Sequence, residues 1–169
     1  GKYKVNILKK KINKINKKVK VKTYRVKAED KNLGKILKQY DVIVDGTDNF
    51  KAKFLLNKFS LKYKKKLIIG AISKFEGHIF TFDFSLKKSP CLKCFYQGEP
   101  AEGVLDCETD GILGSTAVIT GSLQANEVLK AILNVGKNLN SHILIIDLLN
   151  LKFRKVLFRK RKGCICENI

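Results

Sequence analysis

The strongest constraint on the fold is a strand, a helix and a second strand that follow one another near the middle of the chain. Asp41–Asp45 (DVIVD) and Leu67–Ile72 (LIIGAI) are short apolar runs, typical of strands buried on both faces of a parallel sheet. The segment between them carries a helical stripe formed by Phe50, Phe54, Leu55 and Phe59. Because this alternation requires a crossover between parallel strands, the sequence predicts an α/β protein.

Further elements are predicted on both sides of this unit. Apolar residues three or four positions apart predict an amphipathic helix over Lys4–Lys17, and a short helix is expected at Lys31–Gln39. Between them, Val19, Val21 and Thr23 alternate with lysines in a strand pattern. Gly111–Leu133 begins with glycine and serine and continues as a long apolar helix that ends near Gly136.

Two later segments have a period of two, which favours antiparallel strands at the edges of the sheet. They are His78–Phe84 (HIFTFDF) and Leu151–Phe158 (LKFRKVLF). The 169 residues contain no internal repeat or low-complexity linker, so residues 1–169 are expected to form one domain.

The charge of the chain is high, with a formal net value of +20. Such a surplus fits either a nucleic-acid-binding patch or a solvated surface. Lysine accounts for nearly all of the basic residues, whereas phosphate and base readers favour the bidentate fork of arginine, so the solvated surface is the preferred interpretation. The longest apolar runs are far shorter than the roughly 20 residues that cross a bilayer, and a cytoplasmic protein is expected.

The loop at residues 45–49 (DGTDN) follows the first predicted strand, at the edge where open α/β sheets bind ligands. One interpretation is structural: Asp48 or Asn49 caps the next helix, and Gly46 permits a tight turn. The other is functional: Asp48 binds a metal ion or a nucleotide phosphate at the positive end of that helix. Residue spacing alone leaves both open.

Four of the five cysteines form two close pairs about seventy residues apart. They are Cys91, Cys94, Cys164 and Cys166. Two such turns complete the tetrahedral shell of a structural zinc ion, although the second pair is one residue tighter than the usual spacing. The alternative is a set of reduced, inert thiols.

The remaining cysteine and the two histidines give weaker signals. Cys107 lies between Asp106 and Glu108, whose charges disfavour a thiolate, so a bystander thiol is at least as good an interpretation as a nucleophile. His78 and His142 have no Cys, Asp or Glu at ligand spacing and are expected to be structural.

Several motifs occur in an order that resembles the ThiF/MoeB/HesA family, the bacterial relatives of ubiquitin-activating enzymes. They are GKYKV, DVIVDGTDNF, LIIGAISKFEGHIFTFD, PCLKC, CETDGILGSTAVITGSLQANEVLKAIL, LLNLKFRKVLF and GCIC. The resemblance covers essentially the whole chain. It implies a Rossmann-like open sheet, mostly parallel with antiparallel edge strands. It also implies an adenylyltransferase reaction, in which ATP and the C-terminal Gly-Gly of a ubiquitin-like sulfur carrier (ThiS/MoaD type) give an acyl-adenylate and pyrophosphate.

The resemblance also implies roles for individual residues. Lys4 matches the lysine that contacts the ATP phosphates, and Asp48 and Asn49 match the Asp-Asn pair, with Asp48 required for Mg²⁺-ATP and adenylation. Cys107 matches the position that links covalently to the carrier in thiamine-pathway members. The two cysteine pairs match the zinc ligands. A homodimer is implied as well, whereas the choice between thiamine and molybdopterin biosynthesis stays open.

One departure from the family pattern is large. The family opens with a strand, a GxGGxG phosphate loop and an arginine-bearing segment, and no such loop precedes Lys4. Residues 1–169 are therefore expected to be the C-terminal two-thirds of an activating domain, with a partial Rossmann-like sheet. This polypeptide alone is expected not to adenylate.

Two other functions compete with this prediction. A dinucleotide-dependent oxidoreductase would use a similar sheet, but the paired cysteines argue against it. A basic, zinc-containing nucleic-acid-binding module would be retained on DNA in a salt-dependent manner.

Overall fold

The computed structural model describes residues 1–98 and 111–167. Its helices are α1 (Lys4–Ile15), α2 (Asp30–Leu37), α3 (Phe50–Lys62), α4 (Leu92–Phe95) and α5 (Gly114–Leu133). Its strands are β1 (Val42–Asp45), β2 (Lys66–Ser73), β3 (Glu76–Asp83), β4 (His142–Asp147) and β5 (Lys152–Leu157). The predicted α/β class is confirmed.

The five strands form one mixed sheet in the order β1-β2-β3-β4-β5. Strands β1 and β2 are parallel and are joined through α3, as the strand-helix-strand pattern predicts. The other three pairings are antiparallel, so the described part of the sheet is not mostly parallel. The reason is that β2 turns directly into β3 through a tight turn, which permits only antiparallel pairing.

Three local expectations are wrong. Strand β3 lies in the centre of the sheet rather than at its edge, because β4 pairs along its second side. Strand β1 is one of the two edge strands of the described sheet, and Val44 is 51% exposed instead of buried. Val19–Thr23 pairs with none of the described strands, since an alternating pattern forms a strand only where a partner edge is available.

The core lies on both faces of the sheet because neighbouring residues of β2 and β3 point in opposite directions. Leu67, Ile69, Phe80 and Phe82 belong to a cluster with the inner residues of α3 and with α4. Ile68 and Ile79 belong to a second cluster with α5. The resulting order of layers is α3, sheet and α5, with α2 packed against α3.

Helix α1 forms where its apolar spacing predicts, but none of its residues is buried, and Ile15 is 87% exposed. Helix α5 ends at Leu133, and the next residue, Asn134, adopts the left-handed conformation common after a last helical turn. Across the described ranges, no helix combines the length and apolar character required to cross a bilayer.

Candidate active site

A cavity of about 300 Å³ opens at the carboxyl ends of β1 and β2, beside the first half of α5. Its lining includes residues 46–48 of the DGTDN loop, the last residues of β2 and two side chains of β3. Parallel strands bring their following loops to the same edge, which explains why this edge carries the polar groups. The position agrees with the ligand edge expected from the sequence.

The hydrogen bonds of the DGTDN loop show which of Asp48 and Asn49 caps α3. Asn49 is the helix cap, because its side-chain oxygen accepts a hydrogen bond from the Ala52 amide at 2.8 Å. The Asn49 amide also donates to Asp48 Oδ1 at 3.0 Å. Asp48 is therefore not the cap, and its exposed carboxylate lines the cavity.

The electrostatic surroundings of Asp48 favour its charged form. The hydrogen bond from Asn49 is the main cause that lowers the pKa of Asp48, and its own backbone amide lowers it further. The charges of Lys4 and Lys53 act in the same direction. Helix α1 begins at Lys4, so its first residue is placed close enough to influence this carboxylate.

A buried ion pair lies beneath the loop. Lys53 Nζ is 3.0 Å from Asp45 Oδ2 and donates to the Gly70 carbonyl oxygen at 3.0 Å. Lys53 and Asp45 are only 5% and 1% exposed. The other carboxylate oxygen of Asp45 accepts hydrogen bonds from the backbone amide and the hydroxyl of Thr47, at 2.8 and 2.7 Å. One carboxylate thus connects α3 and β2 to the turn that carries Asp48.

Helix α5 reaches the same point from the opposite face of the sheet. Gln124 Nε2 donates to the Asp45 carbonyl oxygen at 2.7 Å and to that of Ile68 at 3.2 Å. A Cβ atom at Gly70 would lie 2.7 Å from Gln124 Oε1, so glycine is what allows this approach. The carboxyl end of β1 is held from both sides.

The second cluster of chemistry-bearing residues consists of the four paired cysteines. All four Sγ atoms lie within 4.8 Å of one another, and the cysteines are free thiols. Cys91 Sγ is 3.6 Å from Cys164 Sγ, and Cys94 Sγ is 3.4 Å from Cys166 Sγ. The first pair frames α4, and the second lies in the segment after β5. Burial, reinforced by the neighbouring thiols, raises the pKa of Cys91 to about 12.

The pattern of the ThiF family matches residues 1–167. The chain belongs to the ThiF family. This confirms the resemblance seen in the motifs.

Named relatives of this ThiF-family chain are adenylyltransferases. The sulfur carrier protein adenylyltransferase of Thermus thermophilus is 33% identical over 168 residues, which cover 97% of this chain and 62% of that protein. A probable molybdopterin-synthase adenylyltransferase of Gracilaria tenuistipitata is 35% identical over 155 residues, which cover 92% and 43%. The chain thus spans about two-thirds or less of the length of these relatives.

Solved structures confirm the fold. The crystal structure of E. coli MccB with ATP has a TM-score of 0.79 and 16% identity, and the match covers all of this chain and 52% of that one. The described ThiF-family sheet is therefore a partial Rossmann-like sheet, as the resemblance implies.

The structure brings some of the predicted site residues together and leaves others apart. Asp48 and Asn49 share the loop at the cavity, and the four cysteines meet near α4. Cys107 lies outside the described residues, so its predicted role as a nucleophile stays a prediction. His142 begins β4, and its Nδ1 atom donates to the Asn140 carbonyl oxygen at 3.0 Å within its own turn.

The sequence assigned no role in a binding site to several residues of the cavity lining, among them Lys53, His78, Thr120 and Gln124. Lys53 carried a readable signal, because a charge at an inward position of a helical stripe needs a buried partner. His78 was expected to be only structural. It lines the cavity near Glu76, and burial lowers its pKa, so the imidazole is neutral at neutral pH. Thr120 and Gln124 carried no signal, since only the packing of α5 brings them to the site.

Proposed function

We propose that this chain takes part in the ATP-dependent adenylation of the C-terminal Gly-Gly of a ubiquitin-like sulfur carrier of the ThiS/MoaD type. The observation that carries the proposal is the Asp48 carboxylate at the mouth of a sheet-edge cavity, in a chain that belongs to the ThiF family. The names of its relatives favour this reaction over an oxidoreductase or a nucleic-acid-binding module. The carrier would serve thiamine biosynthesis, molybdopterin biosynthesis or another thiolation pathway.

The proposed chemistry requires positive charge around a triphosphate. When the carrier carboxylate attacks the α-phosphorus, a P–O bond forms, the bond to pyrophosphate breaks, and negative charge builds up on the phosphate oxygens. The Lys4 ammonium group would stabilise that charge, and Asp48 would hold Mg²⁺, a cation that prefers carboxylate oxygens. Bound Mg²⁺ would neutralise part of the phosphate charge. The lowered pKa of Asp48 keeps its carboxylate ionised for this role at neutral pH.

The experiment that tests the proposal is carrier-dependent exchange of labelled pyrophosphate into ATP. It is measured on the protein made from its complete reading frame, with a Gly-Gly-tailed carrier present. Asp48→Asn should lower the exchange rate by about 100-fold or more, because the site loses a charge that acts in the transition state. Lys58→Met is the control, since Lys58 on α3 forms an exposed ion pair with Asp30 at the start of α2. Absence of carrier-dependent exchange, or full exchange in Asp48→Asn, would overturn the proposal.

We also propose that Cys91, Cys94, Cys164 and Cys166 hold a structural zinc ion. A tetrahedral zinc ion with Zn–S distances of about 2.3 Å has S–S edges of about 3.8 Å. The two Sγ–Sγ separations of 3.4 and 3.6 Å are close to that edge length and far too long for a disulfide bond of about 2.0 Å. The donor set therefore fits zinc. Homodimer formation belongs to the same proposal and rests on the family resemblance alone.

A further inference from the structure

We propose that Lys53 is a positioning residue for the Asp48 loop: through its buried ion pair with Asp45 it fixes the turn at residues 46–48 and so aims Asp48 into the cavity. In what it says about adenylation, this inference rests on the proposed function. The contacts that carry it are independent of that function.

The first step is the isolation of the ion pair from water. Two charges with almost no solvent exposure are costly to desolvate, and a well-packed apolar pair is often at least as stable. Stability alone therefore does not explain a lysine at position 53. The presence of a lysine here is instead explained by the hydrogen bonds that its partner Asp45 accepts from the turn.

The second step is the connectivity of Asp45. Its Oδ2 atom faces Lys53, while its Oδ1 atom accepts both hydrogen bonds from Thr47, two residues further along the chain. A side-chain-to-backbone bond of this kind fixes the conformation of a tight turn. Because Lys53 holds the Asp45 carboxylate in place, both hydrogen bonds from Thr47 are made to a charged and fixed acceptor. Asp48 is the next residue, so its direction follows from that of the turn.

The third step is that the pair has little freedom to move. Lys53 also donates to the Gly70 carbonyl oxygen on β2, and Gln124 on α5 holds the backbone of Asp45. Helices α3 and α5 are thus bonded to Asp45 directly, and strand β2 is linked to it through Lys53. A change at residue 53 is therefore transmitted to the turn rather than absorbed by local rearrangement.

The test uses nuclear magnetic resonance and kinetics on Lys53→Met, Lys53→Arg and the control Lys58→Met. In Lys53→Met the Thr47 amide should exchange with solvent about tenfold faster or more. The backbone order parameter at Gly46 and Asp48 should fall from about 0.85 to below about 0.6. Lys53→Arg, which keeps the charge, should restore most of both values, and Lys58→Met should change neither.

The kinetic readout separates positioning from stability. In pyrophosphate exchange, Lys53→Met should lower the maximal rate by about tenfold or more while the KM for ATP changes less than about threefold, as expected when orientation rather than binding is lost. If the wild-type protein shows no pyrophosphate exchange, the proposed function fails. The hydrogen exchange of the Thr47 amide and the order parameters still decide this inference.

Two results would overturn the inference. One is a folded Lys53→Met variant with wild-type Thr47 exchange and wild-type order parameters. If that variant does not fold, the paired substitution Asp45→Asn with Lys53→Gln removes both buried charges together. It should fold and still show faster Thr47 exchange, because a neutral amide oxygen accepts more weakly than a carboxylate. Unchanged Thr47 exchange in that pair is the second overturning result.

Discussion

At the scale of single residues, one buried carboxylate on α5 joins three parts of the chain. Glu127 is 4% exposed and accepts hydrogen bonds from the Thr81 hydroxyl at 2.8 Å, the Asn138 amide at 2.9 Å and the Leu139 backbone amide at 2.9 Å. Lys130, one turn further along α5, forms an ion pair with it. Burial alone would raise the pKa of Glu127, but these hydrogen bonds, led by that from Lys130, lower it overall.

Glu127→Gln should lower the free energy of unfolding at pH 7 by about 2–3 kcal/mol, because bonds to a charged acceptor are replaced by weaker ones. A folded-state pKa below the ordinary value of 4.5 stabilises the protein above that pH, and this stabilisation is lost as the pH falls through the folded-state pKa. The difference between wild type and variant should therefore shrink below pH 4.5. Urea denaturation at neutral and acidic pH measures it, and an equal difference at both would contradict the assignment.

The sequence predicted site residues only where those residues lie close together along the chain. Asp48, Asn49 and the cysteine pairs lie within short motifs, so the sequence indicated them directly. The same motif did not say which of Asp48 and Asn49 caps α3, since both residue types are good caps. His78 and Gln124 reach the cavity only through the pairing of β3 and the packing of α5, which no local pattern encodes.

At the scale of elements, the distance between α5 and the sheet depends on small residues in β2 and β3. A Cβ atom at Gly77 would lie 2.1 Å from Thr120 Oγ1, a buried hydroxyl with no hydrogen-bond partner among the described residues. Helix α5 therefore packs directly on the backbone of β3 at this point.

Gly77→Ala should lower the free energy of unfolding by about 1–3 kcal/mol, because the added methyl group overlaps the Thr120 side chain. Thr120→Ala removes that overlap, so the double variant should lie within about 0.5 kcal/mol of Thr120→Ala alone. Thermal or urea unfolding of the four proteins in this cycle supplies the measurement. Additive losses would show that the two residues do not meet.

The helices and strands were predicted well where an apolar pattern extends over many residues. They were predicted less well where the structure depends on which strands pair with one another. Helices α1, α3 and α5 and strands β2 and β5 appear within a few residues of their expected places. The predicted position of β3 at the edge of the sheet was wrong. An alternating pattern shows which residues of a strand face the core, but not how many strands pair with it. The strand predicted at Val19–Thr23 is absent for the same reason: the segment has the period of a strand but pairs with none of the described strands.

At the scale of the whole molecule, the cysteine cluster connects the segment after β3 to the segment after β5. The cysteines whose sulfur atoms are in contact are 72 residues (Cys94 and Cys166) and 73 residues (Cys91 and Cys164) apart in the sequence. An ion shared by both would hold the C-terminal end of the described chain against α4.

Cys164→Ser should remove bound zinc and lower the melting temperature by about 10 °C, since a structural zinc site contributes several kcal/mol to folding. Plasma emission spectrometry and calorimetry measure the two effects. Cys107→Ser is the matched thiol control and should keep one zinc ion per chain. Wild-type protein without zinc when purified in the presence of zinc salts would contradict the assignment.

The central claim is that Lys4 and Asp48 act on one triphosphate, and a double-mutant cycle in pyrophosphate exchange tests it most directly. Lys4→Met and Asp48→Asn should each lower the carrier-dependent exchange rate by about 100-fold or more. The double variant should lose clearly less than the product of the two single losses, because groups that act together are not additive. A loss equal to that product, or a wild-type rate in Lys4→Met, would contradict the claim.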